Sequence, residues 1–249
     1  MIARFVFLFA LVLLAAPARA DDYSKTTFEN YAKALVRYNA FDIKDDALLD
    51  DYAIITDCDL VKSLYDNDFQ WSQVRSIIRD SLKMNLASFP TGFHYDSQVQ
   101  LERYDFKNKT FRFTHKSMIN AVNSFTLNFN SLAEWNCGGK ELKHLPYTYT
   151  LVVGTPVTIG GLPFSEEDAN ALLKRLESEG NVSRVLYVRF NIRVLYIDPI
   201  RRSRVASEQQ AYTQAGTRAG RTIRMDGRLD SVDFFEDKEH TRLIYSYTP

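Results

Sequence analysis

Cys137, in the run Trp135-Asn136-Cys137-Gly138-Gly139, is the residue of this sequence best suited to nucleophilic chemistry, with His144 seven positions on and His115 upstream as candidate bases. A thiol beside an imidazole can be held as a thiolate, the form that attacks an electrophilic carbon. A structural role competes with that reading. Cys58 is the only other cysteine, and in an oxidising compartment two thiols pair when geometry allows. A Cys58–Cys137 bond would close a loop of about 80 residues and contribute roughly 4 kcal/mol by restricting the unfolded chain. Two buried free thiols packed as small hydrophobes are the third reading.

The other chemistry-bearing residues are scattered. Of His94, His115, His144 and His240, none lies three to five positions from another, so a helical pair of zinc ligands is excluded. Asp45-Asp46 and Asp50-Asp51 are paired carboxylates without the alternating acid-glycine loop of a calcium site, and they read as solvated helix caps and faces. The sequence holds no G-x-S-x-G elbow, no P-loop and no dinucleotide glycine fingerprint, and Gly160-Gly161 reads as a turn. No cofactor and no metal are expected.

The strongest candidate binding feature is basic. Between Pro199 and Arg224 the only acid is Glu208, against Arg201, Arg202, Arg204, Arg218, Arg221 and Arg224. Guanidinium forks suit carboxylate and phosphate groups, which points to an acidic protein or an anionic envelope component. Tyr212 is the one aromatic interleaved there, so a base-stacking platform for nucleic acid is not expected. The competing reading is a solvated loop, or a contact with the acidic stretch Asp21 to Gln70, whose local charge is about −7.

These residues must be positioned by the elements around them, and the chain's ends and periodicities outline those elements. Met1 to Ala20 has Arg4, an apolar run Phe5 to Ala16 and the small-residue ending Pro17-Ala18-Arg19-Ala20, the pattern of a secretory signal peptide. Its apolar run of about a dozen residues is too short to span a bilayer, and no later segment approaches a span. Cleavage removes Arg4 and Arg19, leaving 29 basic residues against 31 acidic ones. Such a balance does not suggest a polyanion partner for the whole surface. With 45% hydrophobic and 25% charged residues the chain is neither disordered nor a disulfide scaffold.

Helical spacing runs from residue 24 to 88: Phe28, Tyr31, Ala32, Leu35 and Tyr38 first, then stripes around Leu48 and Leu60. The last stripe joins Phe69, Trp71, Val74, Ile77, Ile78, Leu82 and Leu86, with Arg75, Arg79 and Lys83 on the other side. After Gly92 the period becomes two, through Phe93 to Arg103, a hairpin about Asp105 to Lys109, Phe125 to Phe129 and Tyr147 to Val153. Ser165 is the N-cap of one further helix that ends at Gly180. Val185 to Ile197 is the strongest strand, with Leu186, Val188, Phe190, Ile192, Val194 and Tyr196 on one face. The fold expected is α+β: a helical region over 21–91, then a mostly antiparallel sheet with one packed helix over 92–249, as one compact body.

Asp50-Asp51-Tyr52-Ala53-Ile54-Ile55 with Cys58, Phe69-Gln70-Trp71-Ser72-Gln73-Val74-Arg75 and Arg103-Tyr104-Asp105-Phe106 resemble a family of exported proteobacterial proteins with a domain of unknown function. The resemblance implies a periplasmic setting and carries over no catalytic residue. The function expected is that of a periplasmic or secreted, non-enzymatic module that recognises a partner. The alternative is an exported hydrolase with a dispersed site near Cys137 and His144.

Overall fold

A computed structural model of the chain describes residues 23–115, 117, 119, 121–129, 137–200 and 222–249. Residues 1–20, read from the sequence as a signal peptide, lie outside them, as do Arg201, Arg202, Arg204, Arg218 and Arg221 of the basic cluster. Five helices and a large curled mixed sheet, 31% helix and 38% strand, make an α+β fold.

Each helix begins where a short polar side chain can cap it. Thr27 accepts from the Asn30 amide before α1 (Phe28–Arg37), Asp45 from Ala47 before α2 (Asp46–Thr56), and Asp57 from Leu60 before α3 (Cys58–Leu64). Asn67 accepts from Gln70 before α4 (Asp68–Met84), and Ser165 from Asp168 before α5 (Glu166–Ser178). Every cap satisfies an amide that has no partner in the first turn of its helix. These caps cut the continuous helical periodicity of residues 24–88 into four pieces. Gly180, at φ 75°, terminates the turn after α5.

The strands are β1 (Ser24–Lys25), β2 (Gly92–Asp105), β3 (Thr110–Phe113), β4 (Val122–Asn128), β5 (Thr148–Val157), β6 (Gly161–Pro163), β7 (Val185–Ile197), β8 (Thr222–Phe235) and β9 (Leu243–Tyr247). Their order is β4-β5-β8-β7-β2-β3-β6, with β1 beside β2 and β9 beside β8. The β1–β2 and β5–β8 pairings are parallel and the rest antiparallel, so the sheet is mixed. It curls: Phe125 of the edge strand β4 lies 5.0 Å from Phe190 of β7 and 5.0 Å from Tyr95 of β2, strands three and four places away in the order.

Helix α1 fills that curl with aromatic rings. Tyr31 is sandwiched between Phe93 at 4.4 Å and Tyr149 at 4.6 Å, Phe28 stacks on Phe129 at 4.9 Å, and the Tyr31 and Tyr95 hydroxyls share a hydrogen bond. The opposite sheet face is an ionic ladder. Arg189 of β7 bonds Asp96 of β2 at 2.8 and 3.0 Å, Asn191 donates to Ser231 and Asp233 of β8, and Arg193 pairs with Asp230. This is the polar face that the alternation Arg189, Asn191, Arg193 predicts.

Two local expectations are corrected. Phe69 and Ile77 do not join the buried stripe of α4; they are exposed, as is Leu86, while Trp71, Val74 and Leu82 are buried. Arg75 and Arg79 turn inward instead, held by Asp50 and Asp46 of α2, and the ion pairs set the rotation of the helix. Tyr196 is half exposed because a register shift between Val194 and Tyr196 turns it outward and leaves Ile197 buried.

The turn before β9 brings His240, at φ 57°, edge-on to Phe235 with Nδ1 3.2 Å from Arg189. Burial holds the ring below the ordinary histidine range; Asp96 opposes this and Arg189 reinforces it. The unfolded chain then takes up this proton first as pH falls, so stability declines below the ordinary histidine value of about 6.5 toward the depressed one. Urea midpoints are expected to fall between about pH 7.5 and pH 5.5, and His240→Asn, which tolerates the left-handed backbone, is expected to shallow the decline. An unaltered slope in the variant would remove His240 as its cause.

A Cβ at Gly161 would lie 2.4 Å from the Phe111 carbonyl oxygen across the β3–β6 pairing. Backbone cannot yield there as a flexible side chain would, so Gly161→Ala is expected to cost about 2 kcal/mol in urea denaturation.

Candidate functional site

Asp50 and Asp51 are neighbours on α2, and the helical turn of about 100° between them aims them at different partners. Asp50 faces α4, where it accepts from Trp71 Nε1 at 2.8 Å and from Arg75 Nε and Nη2 at 2.7 and 2.6 Å. Asp51 faces the strand-free segment before β5. It accepts the backbone amides of Lys143 at 3.1 Å, His144 at 2.5 Å and Leu145 at 2.7 Å. Both carboxylates are buried, which corrects their reading as solvated helix residues. An unpaired buried charge is costly, and these two sites balance it with a guanidinium and with converging amide dipoles.

The same segment is fixed again six residues earlier. Cys137 is bonded to Cys58 at the start of α3, with Cα atoms 5.5 Å apart and no free cysteine among the described residues. From Cys137 the chain reverses through Gly138 and Gly139, at φ 59° and 82°, and the amides and carbonyls of Cys137 and Lys140 close the turn reciprocally. Two consecutive positive φ values make a type I′ turn, the conformation glycine pairs adopt without steric cost. The turn delivers Lys140 over the Tyr65 ring, 4.6 Å from its centroid, and 2.7 Å from Asp66. Tyr147 donates to the Leu142 carbonyl and completes the loop.

Between α2 and this segment lies a cleft of about 200 Å³. Ala47, Asp50, Asp51 and Ile54 of α2 line it on one side, Lys140, Glu141, Lys143 and His144 on the other, together with Tyr65. Burial raises the Asp51 carboxyl above its ordinary range, and the three amides oppose that. The Asp66 hydrogen bond raises Lys140, and the Asp50 hydrogen bond raises Arg75. Both cations therefore stay charged throughout the physiological range.

The arrangement unites residues that the sequence keeps apart: Cys58 with Cys137, and His144 with Asp51. The Cys137 sulfur is committed to Cys58, and His144 contributes its backbone amide to Asp51. His94, His115 and His240 lie elsewhere, and no group of three or more metal-ligating side chains occurs among the described residues. Of the basic cluster, Arg224 lies near the start of β8 and pairs with Asp226 at 2.9 Å. Asp51 was missed by sequence reasoning. An acidic doublet in the middle of an otherwise apolar helical stretch, with Leu48-Leu49 before it and Ala53-Ile54 after, is the signal that marks it.

The family model for a domain of unknown function (DUF4852) matches residues 44–175. The chain belongs to this family. The match runs from the approach to α2 into α5 and takes in both cysteines, both carboxylates and the whole cleft, and stops before β7 and β8. No curated protein and no solved structure matches the chain. Among the described residues no helix is long and apolar enough to cross a membrane.

Replacing Asp51 with Ala would strand the buried Leu145 amide and the part-buried amides of Lys143 and His144, and a loss of about 2 kcal/mol or more is expected in urea denaturation. Asp51→Asn keeps one acceptor oxygen and should lose less. Equal losses for the two variants would show that the amides do not need the carboxylate.

Proposed function

We propose that this DUF4852 protein is an exported, non-enzymatic binding module of a bacterial envelope, and that its cleft takes an anionic group of a protein or envelope component. The reading is carried by how the cleft spends its reactive groups. Cys137, Asp50 and Asp51, the side chains a hydrolase at this place would use, are all engaged in holding the fold. Within residues 140–144 the cleft is lined by Lys140, Glu141, Lys143 and His144, two lysines against one acid. Lysine and histidine side chains at the mouth of a small cleft suit a carboxylate or phosphate.

Export is supported by the Met1 to Ala20 pattern and is in keeping with a disulfide. The periplasm of a proteobacterium is the compartment proposed, with proteins or acidic polymers as partners and no role for nucleic acid. The arginines from Arg201 to Arg221 would add to the same charge preference.

Two measurements test the proposal. Intact mass of the protein secreted into the periplasm is expected to lack residues 1–20, with both cysteines unreactive to alkylation until reduced. Rapid labelling of Cys137 without reduction would revive the hydrolase. For binding, poly-glutamate peptide titrated against labelled protein is expected to shift the amides of Lys140, Lys143 and His144. Lys140→Glu with Lys143→Glu should weaken that binding at least about tenfold, since each reversal replaces attraction with repulsion. Absence of shifts with poly-glutamate and with inorganic phosphate would overturn the cleft as an anion site.

A further inference from the structure

The edge strand β4 lacks the protection that the other strand edges carry. A free edge presents a row of amides and carbonyls, and proteins blunt such rows by shortness, charge, proline or a bulge. β1 is two residues, β6 is three with Pro163 among them, and β9 is broken by a register shift between Leu243 and Tyr245. β4 stands first in the sheet order, runs for seven residues from Val122 to Asn128, and holds neither a charge nor a proline. Its register against β5 shifts only between Val122 and Ser124, so Ser124 to Asn128 are regular.

The ladder decides which residues face outward. The Phe129 amide bonds the Tyr147 carbonyl, and Leu127 opposes Tyr149 and Phe125 opposes Leu151 in the same register. Alternate residues of an antiparallel pair bond the neighbour, so Phe125 and Leu127 give their amides and carbonyls to β5, whereas Ser124 and Thr126 turn theirs away from it. The Thr126 and Thr150 hydroxyls, 3.1 Å apart, mark a pair of the close, non-bonded kind. Among the described residues no strand lies beyond β4 to receive the outward groups. Side chains alternate in the same way. Phe125 is buried against Tyr95 and Phe190, while Ser124 and Thr126 are exposed.

We infer that the protein self-associates edge to edge, with β4 of one copy antiparallel to β4 of a second about a two-fold axis at Phe125. That register sets Ser124 opposite Thr126 of the second copy and Thr126 opposite Ser124, and each pair exchanges its amide and carbonyl, about four backbone hydrogen bonds in all. Hydroxyl side chains then meet across the strands on the outer face, a pairing that stabilises adjacent strands. Because β4 has no charge, nothing on it repels its own image across the axis, and one patch serves both subunits. Contact through one short strand is small, so the dimer belongs to the weak, transient class.

Sedimentation equilibrium from about 5 µM to 1 mM is expected to show a monomer–dimer transition, a range that brackets micromolar affinity. Hydrogen exchange at the two ends of that range should slow with concentration at the Ser124 and Thr126 amides, and not at those of Phe125 and Leu127, which β5 already holds. This measurement requires no variant. Two double variants then read the register. Ser124→Glu with Thr126→Glu sets like charges directly opposite twice across the axis and should weaken the dimer at least about tenfold; Ser124→Lys with Thr126→Glu sets opposite charges there and should bind at least as tightly as the parent. Both positions are exposed, so each variant should keep the thermal midpoint of the dilute protein. A protein monomeric at 1 mM, exchange at Ser124 and Thr126 that ignores concentration, or equal weakening by the two double variants would each overturn the dimer.

Discussion

The carboxylate of Asp51 is the contact on which the arrangement around the cleft depends. One side chain of α2 gathers three consecutive amides from a segment that has no strand or helix of its own. The buried Leu145 amide and the part-buried amides of Lys143 and His144 find their acceptor in Asp51. The Cys58–Cys137 bond and the type I′ turn then fix where the segment begins, and the Tyr147 hydroxyl fixes where it ends. The helices and the sheet are thus joined on two sides, by aromatic stacking through Tyr31 and by polar anchoring through Asp51. Because both buried carboxylates sit on consecutive residues, α2 cannot rotate to improve one contact without straining the other.

Much of this was legible in the sequence. Period-two runs located the long strands, period-three-and-four stripes located the helices, and capping residues such as Ser165 marked where a helix had to start. The cysteine pairing was an open choice in the sequence, among bonded, reactive and buried thiols, and spatial proximity decided it. Other features depend on partners distant in the chain and were not legible. The rotation of α4 follows from Asp46 and Asp50, more than twenty residues away, which capture Arg75 and Arg79 and displace Ile77 from the core. Hydropathy alone groups Ile77 with Ile78; only the ion pairs choose between them. The bulge at Tyr196 likewise arises from register with β8, which no local pattern encodes.

Asp50, Asp51 and Lys140, which line the cleft, each have partners within the fold. Its acids are neutralised from behind, by Arg75 on one side and by amide dipoles on the other, so their charge projects weakly into the opening. Lys140, Lys143 and His144 line it opposite α2, with Glu141 among them. Under the proposed reading such a site would hold an incoming group by charge and shape. The family match encloses this site and ends before the strands that complete the sheet, so the portion of the chain characteristic of the family is the cleft together with one side of the fold.

The position of β7 and β8 in the sheet has a consequence for the order of folding. They are the third- and second-last strands of the chain, yet they occupy the centre of the order β4-β5-β8-β7-β2-β3-β6, and β5 meets β8 in a register that pairs Thr148 with Thr222. While residues beyond 185 are still being synthesised, β2 and β5 have no neighbour on their inner edges and the curl around α1 cannot close. The early strands are then a set of open edges with aromatic side chains and no sheet to bury them. Non-local closure of this kind is slow relative to local helix formation. A chain so arranged reaches its native core only after nearly all of it has emerged, which keeps it threadable for a longer time than a protein whose sheet grows strand by strand.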